Sequence, residues 1–296
     1  MRLLVTGRKG QVAQALLGLA SAGLEVVALG RPVLDITDRA SIDRAIAEHR
    51  PDVVVSAAAY TAVDKAESDE AAAFAANRDG AGHVAAAAAA AGLPVIHVST
   101  DYVFSGEKPQ AYLEDDATGP QGVYGRSKLA GEAAVAAANP RHAILRTAWV
   151  FGPYGNNFLK TMLRLAETRD VLKVVGDQQG TPTYAPDIAA GIVAVAERMV
   201  AGPDEAASHG VFHMVAGGET TWAGFAAEIF AHSALDGGPS ALVEPITTAE
   251  YPTPARRPAN SRLDTARFRR AFGHELPTWQ SGVERCLAAL RANAAA

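Results

Sequence analysis

The chain has 296 residues, 49% apolar and 20% charged, with a formal net charge of −5. That length suits one large α/β domain or a domain with a smaller companion, and the composition is that of an ordinary globular protein. The longest basic block is "ARR" at residues 255–257, so nucleic acid is not an expected partner, because phosphate neutralisation needs a clustered positive footprint.

The first half alternates in type. Strand-length apolar runs stand at "RLLVT", "EVVAL", "DVVVSA", "PVIHVS" and "AILRTAWV", with helix-length segments at residues 11–20, 41–49, 68–91 and 123–138 between them. Strands apolar throughout and separated by helices predict a parallel sheet covered on both faces. The alanine-rich window "AGHVAAAAAAAGLPVIHV" is the longest apolar stretch, yet His83, Gly92, Pro94 and His97 interrupt it. A membrane span needs about 20 strongly apolar residues, so this reads as a helix ending at Gly92 followed by a buried strand, and no membrane association is expected. Beyond Phe151 the pattern loosens into a helix at 157–168, the strand "VLKVV", helices at 187–200, 221–231 and 278–292, the strand "VFHMV" and a proline-rich loop, "YPTPARRPANSR". The expected fold is a Rossmann-type doubly wound sheet over residues 1–150, rejoined by about 172–200, with a smaller substrate-binding part over 151–296. Cys286 is the only cysteine. It reads as a small buried apolar group, and with "MRLLVTG" running straight from strand into turn the expected compartment is the reducing cytoplasm.

The motifs fall on one edge of that sheet. "TGRKGQVA" follows the first strand, with Gly7 for a tight turn, Gly10 for close approach of backbone to a phosphate, and Ala13 at the third small position. Free amides and the dipole at a helix N-terminus favour an anion there. The second strand ends at Gly30–Arg31, where an NADH site commonly places a carboxylate. Arg31 reads either as a contact to a 2′-phosphate, with Arg8 and Lys9 nearby, or as a solvated loop residue. The fourth strand ends in "STDYVF", delivering Thr100, Asp101 and Tyr102 to the same edge, and the fifth delivers Arg146, Thr147 and Trp149. In "VYGRSKLAGE", Tyr124 and Lys128 stand one helical turn apart. Such a pair is either a surface decoration or a tuned proton donor, since a fixed cation favours the phenolate.

The chain resembles the extended short-chain dehydrogenase/reductases through the glycine turn, "STDYVF", Y-x-x-x-K and "RTAWVFG". Within them "AAAYTAVDKAE", "VYGRSKLAGE", "GNNFLKTMLRLA", "VVGDQQGTPTYA", "HMVAGGETTW" and "YPTPARRPANSRLDT" are similar to the dTDP-4-dehydrorhamnose reductase family. The resemblance implies an NADPH-dependent oxidoreductase, with NADH use left open, that reduces a nucleotide-sugar ketone. It gives Tyr124 the part of proton donor and Thr100 that of a hydrogen-bond partner to the ketone oxygen. Lys128 would lower the Tyr124 pKa and hold the nicotinamide ribose, while Asp101, Tyr102, Trp149 and Asn157 would bound the sugar. Gly7, Gly10, Gln11, Val12, Asp35, Ile36, Ala58, Ala59 and Tyr60 match the family's cofactor cradle, together with Tyr124 and Lys128. Some members hold a magnesium ion between the subunits of a homodimer with carboxylates, one on the first helix. This chain has Ala15 there, so no metal is assigned. The same fold also implies two alternatives: a related epimerase or dehydratase, and a non-catalytic regulatory subunit of methionine adenosyltransferase type. From the residues alone, Asn157 reads equally as a helix cap, Arg256 and Arg257 as diphosphate contacts or loop decoration, and His97 as a core histidine.

Overall fold

The computed structural model describes residues 1–202 and 206–295. Five strands open the chain: β1 (Arg2–Thr6), β2 (Glu25–Leu29), β3 (Val53–Ser56), β4 (Val95–Thr100) and β5 (His142–Thr147). Between them run α1 (Gln11–Leu17), α2 (Arg39–His49), α3 (Val63–Ala66), α4 (Glu70–Phe74), α5 (Ala81–Ala90) and α6 (Val123–Ala138). Then come β6 (Val150–Phe151), α7 (Phe158–Ala166), β7 (Val171–Val175), β8 (Gln179–Gly180), β9 (Thr183–Tyr184) and α8 (Ala185–Ala201). The chain closes with β10 (Gly210–His213), β11 (Thr220–Thr221), α9 (Trp222–Leu235), β12 (Leu242–Ile246), α10 (Ala266–Phe272) and α11 (Trp279–Ala295).

Six parallel strands form the central sheet in the order β10-β5-β4-β3-β1-β2. A strand covered on both faces must be apolar on both, and alternate side chains then sort by face. Leu3, Val5, Val55 and Leu145 join Leu16 of α1 and Ile188, Ile192 and Val195 of α8 in one cluster. Leu4, Val54 and Ile144 join Ile42 of α2, Val84 of α5 and Val135 of α6 on the other face. A third cluster lies outside the sheet, where Phe151, Leu159, Leu172, Val174, Phe225, Ile229 and Val283 meet. Among the described residues no helix is long and apolar enough to cross a membrane.

Four expectations change. β7 does not rejoin the central sheet; it pairs in parallel with β12, while α8 packs against α1 and the sheet. The reason is visible in β7 itself, where Val171 and Lys173 face solvent and Leu172 and Val174 are buried. A strand with one apolar face cannot lie inside a sheet covered on both sides. Conversely β10, from the part of the chain assigned to the smaller unit, completes the central sheet beside β5. The run "AILRTAWV" breaks in two because Trp149 adopts a positive φ of 47° between β5 and β6.

The helix expected over 68–91 is also interrupted, by a π-helical stretch over Ala75–Gly80. The wider turn seats Asn77 in the interior. Its Oδ1 accepts from the Tyr60 amide (2.8 Å), and its Nδ2 donates to the Tyr60 carbonyl (3.0 Å) and to Ser127 Oγ (2.9 Å). One side chain thus bonds the loop after β3 to α6, the kind of use for which π-bulges persist inside helices. α6 closes on this turn through Gly131, whose missing side chain leaves room for the Asn77 carbonyl. Gly131→Ala should lower the denaturant midpoint by an equivalent of about 1–3 kcal/mol, the usual cost of overpacking. Gly23→Ala is the control, with nothing within 4 Å of the added methyl. Equal midpoints for the two variants would show that α6 does not need this close approach.

Candidate active site

Because all six strands run in one direction, their carboxyl ends and the loops that follow share one edge, where open α/β sheets bind ligands. Gly7 turns there with φ +94°, and a Cβ on it would lie 3.1 Å from the Ala58 Cα. The first and third loops therefore touch backbone to backbone. Thr6 Oγ1 reinforces the contact by accepting from the Ala57 and Ala58 amides, each at 3.1 Å. Gly10 caps α1 without any side-chain bond, and the first turn carries no acidic residue. Near it, the side chains of Arg8, Lys9 and Arg31 make no hydrogen bond or ion pair to any described residue. An uncapped helix start, a floor of small residues and three cations without a hydrogen bond or close ion pair among the described residues fit a phosphate-rich dinucleotide.

The rest of the expected cradle is engaged in the protein's own structure. Asp35 Oδ1 accepts from the Thr37 amide (2.9 Å) and hydroxyl (2.8 Å), which hold its carboxyl below the ordinary range. Ile36 is buried against Gly80. Ala59 and Tyr60 continue the third loop, with the Tyr60 hydroxyl donating to Asp69 Oδ2 at 3.1 Å. Val12 packs partly buried on the core under α1. Gln11 donates to the Val150 carbonyl (3.3 Å) and accepts from Asn157 Nδ2 (2.9 Å), so it links α1 to the second half of the chain.

Thr100, Asp101, Tyr102, Tyr124 and Lys128 do come together. α6 reaches the strand end because Gly125 lies against the Tyr102 carbonyl, where a methyl would collide. The Tyr102 and Tyr124 rings then meet edge to face, centroids 5.5 Å apart. Thr100 Oγ1 donates to Asp101 Oδ1 at 2.9 Å and accepts from the Tyr102 amide at 3.3 Å. Burial pushes the Asp101 carboxyl up to about 6, against the opposing pull of the Ser261 and Thr100 hydroxyls. Its Oδ2 is nonetheless left without a hydrogen bond of good geometry. Tyr124 keeps partial solvent contact, yet protein packed around it raises its pKa. The Asp101 and Tyr102 charges raise it further, and the Thr100 hydroxyl pulls the other way.

Lys128, expected to lower the Tyr124 pKa, is not among the groups that shift it here. Its Nζ is buried and donates to the Val98 carbonyl (2.7 Å) and to His97 Nε2 (3.2 Å). Burial lowers the Lys128 pKa to about 8, with Glu132 raising it. Glu132, one turn on in α6, accepts Ser99 Oγ (2.5 Å), Arg146 Nε (2.9 Å) and Arg146 Nη2 (2.7 Å).

Asn157 is spent as a cap. Its Oδ1 accepts the Lys160 amide (3.1 Å) while its Nδ2 serves Gln11 and the Gly152 carbonyl (2.7 Å). Both Nδ2 hydrogens are taken within the protein, which leaves only the second lone pair of Oδ1 to meet a sugar hydroxyl. Trp149 stacks on Trp222 (centroids 3.7 Å, 13° between planes), and its indole seats against Gly180, where a Cβ would come within 2.5 Å. Arg257 donates to the Tyr102 hydroxyl (3.2 Å) and to Asp64 Oδ2 (2.6 Å). Arg256 is held more loosely, by Gln121 and Glu107 in the open. A cavity of about 510 Å³ opens beside them, bounded by Glu107, Asp177, Thr248, Tyr251, Arg256 and Arg257. Sequence reasoning passed over Glu132, Asp64 and Trp222. Glu132 was within reach of it, four residues beyond Lys128 on the same helical face. Asp64 and Trp222 carry no local signal. Among the described residues no group of three or more His, Cys, Asp or Glu side chains could hold a metal ion.

A parallel sheet of this order, with a glycine turn after its first strand and a Tyr–Lys pair opening the helix after its fourth, defines the extended short-chain dehydrogenase/reductase class. Residues 1–292 match the model of the RmlD substrate binding domain, and the chain belongs to that family. It is 52% identical over 290 residues to a dTDP-4-dehydrorhamnose reductase of Sinorhizobium fredii, covering 98% of each chain. The crystal structure of a dTDP-4-dehydrorhamnose reductase from Clostridium acetobutylicum superposes with a TM-score of 0.89 at 38% identity, over 98% of this chain and 100% of that one. A Bacillus anthracis dTDP-4-dehydrorhamnose reductase solved in complex with NADP gives a TM-score of 0.89 at 33% identity, over 97% of this chain and 99% of that one.

The Asp101 environment has a consequence for stability. Its carboxyl binds a proton more tightly in the native protein (about 6) than in the unfolded chain, where it stays near 3.8. Its contribution to stability therefore falls as pH rises through that window and is level above it. Asp101→Asn cannot ionise, so its stability relative to wild type should rise between about pH 4 and about pH 8, by at most ~3 kcal/mol. Urea midpoints at the two pH values measure this, and a constant difference would show that Asp101 is not held protonated.

Proposed function

We propose that the chain reduces the 4-keto group of dTDP-4-dehydro-6-deoxy-L-mannose with NADPH, giving dTDP-L-rhamnose, the last step of dTDP-rhamnose biosynthesis. The observation that carries the reading is the gathering of Thr100, Tyr124 and Lys128 at the sheet edge that also holds the Gly7–Gly10 turn, in a chain of this family. The bound cofactor supplies hydride to the carbonyl carbon. The protein's own residues handle charge and protons. Tyr124 gives its proton to the carbonyl oxygen as negative charge builds there, and its raised pKa means the proton is present at neutral pH. Thr100, at the end of β4, hydrogen-bonds the same oxygen by turning its hydroxyl proton away from Asp101 Oδ1, to which it otherwise donates. Asp101, Tyr102 and Trp149 border the sugar, and Lys128 holds the nicotinamide ribose.

The Gly7–Gly10 turn, with Gln11 and Val12, would take the diphosphate. Ala58, Ala59 and Tyr60 leave room across the strand ends, and Asp35 and Ile36 flank the adenosine side. Arg31, whose charge bears on Asp35 but which makes no hydrogen bond or close ion pair among the described residues, would with Arg8 and Lys9 meet the 2′-phosphate and favour NADPH over NADH. The nucleotide end of the substrate fits the cavity beside Arg256 and Arg257, formed largely by chain beyond residue 151.

Two measurements test this. Tyr124→Phe should bind NADPH as wild type does and lose ~10²–10⁴ of turnover, the usual worth of a general acid. NADPH oxidation with the ketosugar reads it directly; wild-type turnover in the Phe variant would remove Tyr124 from the chemistry. Arg31→Ala should narrow the NADPH-to-NADH ratio of kcat/KM by about 10-fold or more while sparing NADH, the scale of one hydrogen bond to a charged group. An unchanged ratio would place the phosphate contact elsewhere.

A further inference from the structure

β4 carries a histidine in the middle of the sheet, and the structure shows what its ring touches. Ser56 and His97 are register partners on β3 and β4, so their side chains leave the same face, the one on which Lys128 of α6 arrives. Ser56 Oγ lies 3.1 Å from His97 Nδ1, and Lys128 Nζ lies 3.2 Å from His97 Nε2. All three residues are at least 98% buried. An ammonium has no lone pair, so it must be the donor and His97 Nε2 the acceptor. The ring is then the neutral tautomer with its proton on Nδ1, donating to Ser56. Burial and the Lys128 charge both keep His97 far below its ordinary pKa, in agreement.

The second acceptor is supplied by an interruption of the sheet. The Val54 amide bonds the Pro94 carbonyl, and the same alternation continued would give the Ala58 amide to Val98. The Ala58 amide turns instead to Thr6 Oγ1, and the Val98 carbonyl takes Lys128. Two of the three ammonium hydrogens are thereby fixed, and the third has no acceptor among the described residues.

We propose that His97 is a positioning residue for the reduction: with the Val98 carbonyl it pins two N–H groups of Lys128 and so presents the third to the cofactor ribose. The inference rests on the function proposed above. The titratable groups around the ammonium are Tyr124 and Glu132 on α6, His97 on β4, Asp101 just beyond it, and Arg146 on β5. Arg146 and Ser99 engage the Glu132 carboxylate, and Asp101 acts on Tyr124. His97 is therefore the only one of these groups that accepts a hydrogen bond from Lys128.

The test compares His97→Leu, His97→Gln and Ser56→Ala in the full-length protein, with NADPH and the ketosugar as probes. His97→Leu keeps bulk and removes the acceptor. It should lower kcat and weaken the NADPH Kd by about 10- to 100-fold, as expected for a lost hydrogen bond to a charged group, and leave the sugar KM near wild type. With one acceptor fewer the ammonium is less favoured, so the alkaline limb of its pH–rate profile should move to lower pH. His97→Gln restores an acceptor and should recover most of both losses, and Ser56→Ala should lie between. Wild-type kcat and NADPH affinity in His97→Leu would overturn the proposal, as would a Gln variant no better than Leu, which would mean that the ring only fills space. If His97→Leu does not fold, Ser56→Ala decides, and a wild-type rate and pH profile there count against the proposal. A wild-type protein that does not oxidise NADPH with the ketosugar would instead overturn the function itself.

Discussion

A carboxylate buried against the sheet holds the site in place. Glu132 meets the Arg146 guanidinium through two hydrogen bonds and takes a third from Ser99, so α6 is tied to β4 and β5 at once. An isolated charge in that position would be prohibitive, whereas a forked and fully bonded pair is tolerated, and losing one partner costs far more than the pair contributes. The geometry of the pair is directional, which apolar packing is not. It fixes the rotation of α6 about its own axis, and with it the faces on which Tyr124 and Lys128 appear. Close approach does the remainder: Gly125 and Gly131 let the helix settle onto the Tyr102 and Asn77 carbonyls.

The three ionisable groups gathered above that pair are each displaced toward neutrality by the same burial. Asp101 and Tyr124 are raised and Lys128 is lowered. A site of this kind responds strongly to any new charge, because there is little water to screen it. Negative charge developing on a bound oxygen would draw on a phenol that has held its proton until then. The ammonium is turned toward His97 and Val98.

Much of the architecture was legible in periodicity. β1, β2 and α6 fall within the bounds their patterns suggest, since an apolar run and an uninterrupted helix each carry their own signal. The errors have a common cause, which is that they depend on partners remote in sequence. The π turn at Ala75–Gly80 exists because Asn77 bonds Tyr60 and Ser127. The break at Trp149 depends on Gly180 and Trp222. The residues that gather at the end of β4 and the start of α6 could be named because their motif is local, from "STDYVF" to "VYGRSK". How they are held could not, for Asp64 engages Arg257 across almost two hundred positions and Ser56 reaches His97 only through strand pairing.

The late arrival of β10 bears on how such a chain is made. Its four residues cover the outer edge of β5 by pairing Gly210–His213 with residues 143–146. When the first five strands have emerged from a ribosome, that edge is still bare, a row of unpaired amides and carbonyls flanked by Ile144 and Leu145. At ordinary synthesis speeds the wait for β10 lasts roughly 3–13 s. An open edge of this composition is a template for pairing with another chain. The nascent protein therefore passes through an interval of vulnerability that the finished molecule does not show, and folding of the amino-terminal half alone does not end it.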